Sequence, residues 1–131
     1  MKHLILIYGN AETWGHPIFL RAKEGRALSD GERAELTARL EGLIAELHTT
    51  GELVDAAALA DPLNSRTVRM RDAAMVVTDG PYVESKEQLA GLFIVDCVSP
   101  ERAEEIAGRF PEARISAVEV RPIMASSGEE M

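Results

Sequence analysis

The chain has 131 residues, a length typical of one domain, and its 46% of hydrophobic residues is ordinary for a globular protein. A formal net charge of −8 argues against a nucleic-acid partner, because no basic excess is present to displace the counterions of a phosphate backbone. The single cysteine, Cys97, excludes an internal disulfide and fits a reducing cytosol, where we expect an inert core thiol. No apolar run approaches the ~20 residues of a membrane-spanning helix, so we expect a cytoplasmic protein.

The residue pattern of the first half of the chain predicts a strand, an irregular segment, a helix and a second strand. The apolar run 3–8 lacks alternation and predicts a central strand covered on both faces. Residues 11–28 follow no regular pattern, and they could either plug one end of the core or act as a substrate lid. The segment 29–51 begins with a capping-box sequence and ends at a glycine, which predicts an amphipathic helix. Residues 52–59 suit strand and helix alike, but the turn residues that follow favour a strand.

The next elements are a β-hairpin and a buried strand. Segments 66–71 and 74–78 alternate apolar and polar residues around a short polar break, as the strands of a hairpin do. Gly80 and Pro81 then force a turn, and residues 90–96 predict a buried strand.

The chain closes with a second helix and a last strand. Ser99 is a suitable N-cap, and Pro100 suits the first helical position. Pro111 predicts the end of this helix, and residues 115–121 predict a strand. We therefore expect one domain over residues 1–124 and a short disordered tail over residues 125–131.

The order of these elements predicts the fold class. Two helices cannot cover both faces of a six-stranded parallel sheet, so we expect an α+β fold. The prediction is a ferredoxin-like split βαβ with an added β-hairpin, in which a mostly antiparallel sheet carries both helices on one face. The other face would be apolar and uncovered in a single chain, and such a face usually binds a partner, so we expect a homodimer. Strand alternation leaves open which side chains face that partner; the candidates are His3, Ile5, Ile7, Phe93, Val95, Val118 and Val120.

Residues 78–87, TDGPYVESKE, and residues 89–93, LAGLF, resemble the signature of YCII-related proteins of the DGPF type. The resemblance extends from residues 4–10 to residues 118–122 and is weakest over residues 11–28. It implies a dimeric α+β barrel, in which two such sheets pack face to face around a cavity. It also implies a link to sigma factors of the extracytoplasmic-function group, and hence a partner in that signalling pathway.

Asp79 is the first candidate for a functional residue. Gly80 lets the backbone turn without a Cβ, and Pro81 fixes φ, so the pair would hold Asp79 at a defined angle at the end of a strand. In an enzyme, Asp79 would be the catalytic base or would orient the substrate.

A structural role for Asp79 is equally open. A hairpin that turns on Asp72 and Ala73 would place Arg66 opposite Asp79, and the carboxylate would then only neutralise the arginine. The resembling family usually has glycine where Ala73 stands, and a two-residue mirror-type turn requires positive φ there, so the register stays open. The same register pairs Val68 with Val77 and Met70 with Met75.

Charged and aromatic residues around Asp79 are candidates for ligand binding. Tyr82 could donate its hydroxyl to a bound oxygen, and Lys86 could bind an anion as a point charge beside Glu84. Arg69 and Arg71 lie two residues apart on one strand and could clamp a carboxylate or phosphate. Each set could equally be a solvated surface of the hairpin.

The resemblance weakens at histidine. Compact YCII-related proteins have a proposed His–Asp dyad, but the position of that histidine falls at or near Leu40 here, which leaves Asp55 without a base partner. His48 is in the last helical turn, where a cation favours the helix dipole. We interpret His3 as a core or dimer-contact residue, and His16 belongs to the irregular segment.

Two functions fit these patterns. The first is a non-catalytic module that binds a small polar ligand in the barrel cavity, with a regulatory role in sigma-factor signalling. The second is a small enzyme that performs acid–base chemistry without a cofactor, with Asp79, Tyr82 and Lys86. No metal-ligand spacing, phosphate-binding glycine loop or dinucleotide fingerprint is present, so we predict neither a metal nor a cofactor.

Overall fold

The computed structural model, which describes residues 1–125 and residue 128, has two long apolar strands at the centre of its sheet. Strands β1 (Lys2–Asn10) and β5 (Glu87–Asp96) pair antiparallel, with Ile5 opposite Phe93. Strand β2 (Leu53–Ala58) pairs with the outer edge of β5, and β6 (Val118–Pro122) pairs with the outer edge of β1. The order β2–β5–β1–β6, antiparallel throughout, is that of a ferredoxin-like fold and confirms the predicted class.

The remaining two strands form a separate hairpin, which lies between β2 and β5 in the sequence. Strands β3 (Arg66–Arg71) and β4 (Ala74–Asp79) turn at Asp72 and Ala73, whose φ angles are 49° and 64°. A turn with two positive φ values matches the twist of the strands. Here Ala73 occupies the position that glycine usually takes in such a turn. The register pairs Arg66 with Asp79, as the hairpin hypothesis requires.

Two longer helices lie against the sheet. The first has the full capping box of Ser29 and Glu32 at its start and Gly51 at its end, where φ is 78°. The second has Ser99 as N-cap, whose side chain accepts from the amide of Arg102. These caps confirm the predicted starts of both helices and the end of the first. These two helices are α3 (Asp30–Thr50) and α4 (Pro100–Gly108). The described part of the chain also contains three shorter α-helices: α1 (Ile18–Arg21), α2 (Lys23–Arg26) and α5 (Pro111–Ile115).

The core lies between the sheet and helices α3 and α4. Ile5 and Val95 from the sheet are fully buried in one cluster with Leu43 of α3 and Ile106 of α4. The candidates for dimer contact lie on this covered face, and His3 is 2% exposed there, so the expectation that they face a partner is wrong. Alternation groups side chains by face, but only the docking of the helices selects the face that becomes the core.

Within the described residues, no helix packs on the opposite face of the sheet. We call it the open face; its residues are Leu4, Leu6, Tyr8, Leu92, Ile94, Glu119 and Arg121. Leu4, Leu92 and Ile94 are half-buried in the single chain. Tyr8 donates its hydroxyl to Glu119 at 3.0 Å, and Glu119 also accepts from Arg121 at 2.7 Å. Burial, the hydrogen bond to Glu119 and the charge of Glu119 raise the pKa of Tyr8, while the charge of Arg121 opposes that rise.

Strands β1 and β5 extend beyond the predicted ranges 3–8 and 90–96, and two boundaries near the C-terminal end also differ from the sequence prediction. Pro111 does not simply end a helix, because it is the first residue of the short helix α5. The last strand therefore starts at Val118 instead of Ile115. The predicted disorder of residues 125–131 concerns positions that, apart from Ala125 and Gly128, lie outside the described residues.

Candidate functional site

The predicted functional residue Asp79 forms an ion pair across the hairpin. Its Oδ1 lies 3.2 Å from Nε of Arg66, and the two side chains are 85% and 68% exposed. Gly80 has the positive φ of 96° expected of the turn, and its amide donates to the carbonyl of Ser65 at 2.8 Å. In the single chain, Asp79 therefore has the partner that its structural interpretation assigned.

The other predicted binding residues lie on the surface. The guanidinium carbon of Arg69 is 5.6 Å from the centroid of the Tyr82 ring, a cation–π contact, and Tyr82 is 77% exposed. Arg71 and Lys86 are exposed, and Glu84 lines a shallow depression beside Pro62 and Pro81. Because Asp79, Tyr82 and Lys86 do not converge on a cavity within one chain, their shared role in binding stays a prediction for an assembly.

A different region brings partly exposed apolar walls and titratable side chains together. A cavity of about 320 Å³ lies between α3, the outer strand β2 and the segment 16–18, and we call it the apolar cavity. Leu40 and Ile44 of α3 form one wall, and Ala56 and Phe93 of the sheet form another. The complete lining is Ile7, His16, Pro17, Ile18, Leu40, Ile44, Leu53, Ala56, Ala57, Ala58, Gly91, Phe93, Phe110 and Glu112.

His16 is one of the two titratable residues of this cavity. Its Nε2 lies 2.8 Å from the carbonyl oxygen of Leu59. A carbonyl only accepts, so Nε2 carries a hydrogen, and in the neutral ring Nδ1 is then the acceptor. The ring also meets Trp14 edge-on, with centroids 6.0 Å apart, which supports its orientation.

Glu112 is the second titratable residue, and it is almost fully buried. It lies in the first turn of α5 with 6% of its surface exposed, and its Oε2 has no hydrogen-bond partner among the described residues. Burial raises the pKa of Glu112 above its usual value, while backbone hydrogen bonds of Glu112 and Phe19, and the charge of His16, oppose that rise. The region therefore contains a buried carboxyl that holds its proton more tightly than a free glutamate does.

Glu112 also lines a second cavity of about 260 Å³ at the end of the sheet, which we call the polar cavity. It shares only Ile18 and Glu112 with the apolar cavity, so these two side chains form a common boundary. The complete lining is Tyr8, Gly9, Asn10, Thr13, Ile18, Phe19, Ala22, Lys23, Glu24, Glu87, Glu112, Ile115 and Ser116. The irregular segment 11–28 thus contributes to both cavities.

Sequence reasoning did not identify Glu112 and assigned no function to His16. A glutamate in the first turn of a helix is an ordinary complement to the helix dipole, so nothing in the sequence marks Glu112. One feature of the sequence could have indicated a role for His16: it lies in a long irregular segment with its own aromatic residue, and such segments are often functional. Of the two positions that correspond to the dyad, only Leu40 lines the apolar cavity. Asp55 pairs opposite Ile94 in the sheet and accepts from the amide of Ala56 at 2.8 Å.

Two kinds of site do not occur in the described part of the chain. No group of three or more His, Cys, Asp or Glu side chains within residues 1–125 could hold a metal ion. No helix described there has the length and apolar character needed to cross a membrane.

Comparison with known proteins supplies a family. A family model described as a YCII-related domain matches residues 1–127. An uncharacterised protein of Rhizobium meliloti (strain 1021) is 36% identical over 75 residues, which are 56% of this chain and 60% of that protein. The match thus spans less than two-thirds of the relative's length.

Proposed function

The chain belongs to the YCII-related domain family, and we propose that it uses this fold to bind a small, largely apolar molecule in the apolar cavity. The observation that carries the proposal is the cavity itself, of about 320 Å³, with aliphatic and aromatic walls and a histidine at its rim. Ligand sites are typically concave, apolar and supplied with a few oriented polar groups. The surface residues around Asp79 stay a separate prediction for an assembly.

The polar group of the ligand would meet His16. The hydrogen of Nε2 is engaged by Leu59, which leaves Nδ1 as an acceptor for an N–H or O–H donor. Apart from His16 and Glu112, the lining side chains offer this ligand apolar contact, because residues such as Leu40, Ile44 and Phe93 have no polar side-chain atoms. We therefore expect an aromatic or aliphatic body that carries one hydrogen-bond donor.

Titration with indole and benzofuran tests this proposal, because the two rings have nearly the same shape and only indole has an N–H donor. We expect both to shift the NMR signals of Ile44 and Ala56, and indole to bind more tightly by several-fold, the effect of about one hydrogen bond. His16→Ala should remove the difference between the two. Ala56→Phe should fill the cavity and abolish binding of both.

The matched control is Ala45→Phe, on the exposed side of α3, which should leave both affinities unchanged. Binding of indole that persists in the Ala56→Phe variant would place the ligand elsewhere and contradict the proposal.

Acid–base catalysis is the second candidate, and it is favoured by the raised pKa of Glu112 in the same cavity as the Nδ1 acceptor of His16. The carboxyl of Glu112 and the Nδ1 acceptor of His16 could exchange a proton with a bound carbonyl compound. Deuterium exchange at the α-carbon of small ketones, followed by NMR in D₂O, would detect this reaction. We expect loss of exchange in Glu112→Gln; exchange that persists there would exclude Glu112 as the acid.

A regulatory role in sigma-factor signalling, which the resemblance implies, stays a prediction beside these two candidates. Its test is co-purification with a sigma factor of the extracytoplasmic-function group.

A further inference from the structure

We propose that the hairpin of β3 and β4 binds a second copy of the chain, and that the outer edge of β4 pairs antiparallel with the same edge of that copy. The starting observation is that all of β4 is exposed, including Met75, Val76 and Val77, which are 66%, 39% and 43% exposed. The hairpin forms a sheet of two strands in the described part of the chain, and such a sheet is marginally stable in water without further strands or packing. A partner strand supplies both.

The backbone of β4 has hydrogen-bonding groups that point outward to such a strand. Ala74 follows the two-residue turn, so it forms a hydrogen-bonded pair with the residue opposite, and such pairs alternate along the hairpin. The amide of Gly80 fits this alternation, since it donates to the carbonyl of Ser65 at 2.8 Å. The amides and carbonyls of Met75 and Val77 therefore point away from β3. Within the described chain, β3 is the one strand that pairs with β4.

Charge distinguishes the two edges of the hairpin. Strand β3 carries Arg66, Arg69 and Arg71, and like charges placed side by side would repel the same edge of a second copy. Strand β4 has no charged residue from Ala74 to Thr78, and it contains neither proline nor glycine. Proteins usually protect exposed edges with charges or proline, so an edge without them favours pairing.

Twofold symmetry then selects a register. An axis at Val76 places Met75 opposite Val77 of the second copy and Ala74 opposite Thr78, so none of these pairs contains a charge. The same register joins the outward backbone groups of Met75 and Val77 to each other. Val76 faces its own counterpart in a pair without hydrogen bonds, in which the Cα atoms are about 4.5 Å apart.

Sedimentation velocity between about 10 μM and about 1 mM tests the proposal, because a short strand pair is a small interface and gives weak association. We expect the mass found at the low concentration to at least double at the high one. A parent protein whose mass stays constant would overturn the proposal and leave the edge to an extended segment of another protein.

Charged variants of Val76 locate the interface. Val76→Lys and Val76→Glu should each weaken the association at least tenfold, because each places like charges directly opposite one another. An equal mixture of the two should restore it, since unlike charges then face each other. Val68→Lys, at an exposed position on β3, is the matched control and should associate as the parent does. A mixture that associates no better than either variant alone would overturn the pairing.

A disulfide gives a second measurement that does not depend on these charges. Val76→Cys should cross-link two chains under copper–phenanthroline, because the Cα separation of a pair without hydrogen bonds suits a disulfide. Val68→Cys, at a more exposed position, should cross-link at least tenfold more slowly, and the native Cys97 is buried. Equal rates would overturn the proposal. Both variants leave the open face unchanged, so dimerisation through that face is tested separately.

Discussion

At the residue scale, Glu112 should destabilise the fold at neutral pH. Its raised pKa means that the folded state holds the proton more tightly than the unfolded state does. Stability should therefore fall as the pH rises through the interval between the ordinary pKa of a glutamate and the raised pKa. Glu112→Gln has no proton to lose, so it should be more stable than the parent at pH 7, and the difference should vanish below about pH 4.

Urea unfolding at pH 3.5 and pH 7 measures this effect. Glu104→Gln is the control, because its exposed carboxyl should give the same small change at both pH values. A Glu112→Gln variant that is less stable than the parent at pH 7 would show that the carboxylate has a partner.

Gly80 is the second residue whose substitution should change the stability of the fold. Its φ of 96° lies where side chains are rarely tolerated, although a Cβ there would meet no atom within 4 Å. Gly80→Val should therefore destabilise the protein through backbone strain alone, by on the order of 1–3 kcal/mol. Gly42→Ala, in open space on α3, should instead stabilise it by about 0.5–1 kcal/mol. Equal melting temperatures for Gly80→Val and the parent would contradict the strain.

At the element scale, Arg102 fastens α4 to the start of β2. Its Nε and Nη2 donate to the two carboxylate oxygens of Glu52 at 2.9 and 2.8 Å, and its Nη1 donates to Glu105 at 2.8 Å. The forked contact holds two elements that are distant in sequence, and the side chains of Arg102 and Glu52 are only 21% and 16% exposed. The hydrogen bonds from Arg102 hold the pKa of Glu52 below its usual value.

Arg102→Ala should therefore destabilise the fold by on the order of 1–2 kcal/mol, since it removes a partly exposed but bidentate pair. The contribution of Glu52 is present above its ordinary pKa and is lost as the pH falls through the lowered one. Chemical unfolding from pH 7 to pH 3 should show the difference between parent and Arg102→Ala shrinking with acid. A difference that is constant over this range would contradict the ion pair.

The hairpin is an element whose ion pair should matter little. Arg66 and Asp79 are mostly exposed, so Asp79→Asn should reduce stability by less than about 1 kcal/mol. A double-mutant cycle with Arg66→Ala should give a coupling energy of similar size. Asp79→Asn that keeps stability but abolishes ligand binding would instead restore the functional interpretation of Asp79.

At the scale of the whole molecule, we propose a homodimer formed through the open face. The helices cover the other side of the sheet, and the open face presents Leu4, Leu92 and Ile94, which are only half-buried in a single chain. Ile94→Asp should give a folded monomer, whereas Val118→Asp should unfold the protein, because Val118 packs against the core.

Sedimentation velocity at micromolar concentration, combined with circular dichroism, separates the two outcomes. A parent protein that sediments as a stable monomer would remove the proposal.

The sequence by itself determined the features that depend on near neighbours. Ser29 and Ser99 satisfy amides within the next turn of their own helices, so their identity as caps is readable without the rest of the fold. The two strands of the hairpin were also readable from their alternation, whereas their register stayed open because Ala73 stands where glycine is usual, and the structure supplied it. The order of the elements then sufficed for the ferredoxin-like class.

The tertiary structure alone decided which face became the core and where the cavities lie. Alternation in β1 permits either face to be covered, and only the packing of α3 and α4 buried Ile5 and left Leu4 on the open face. His16 and Glu112 are distant in sequence and meet at one cavity only because the irregular segment and α5 close over the same end of the sheet. Burial, which raises the pKa of Glu112, is a property of that closure and not of the residue, so no local pattern could have revealed it.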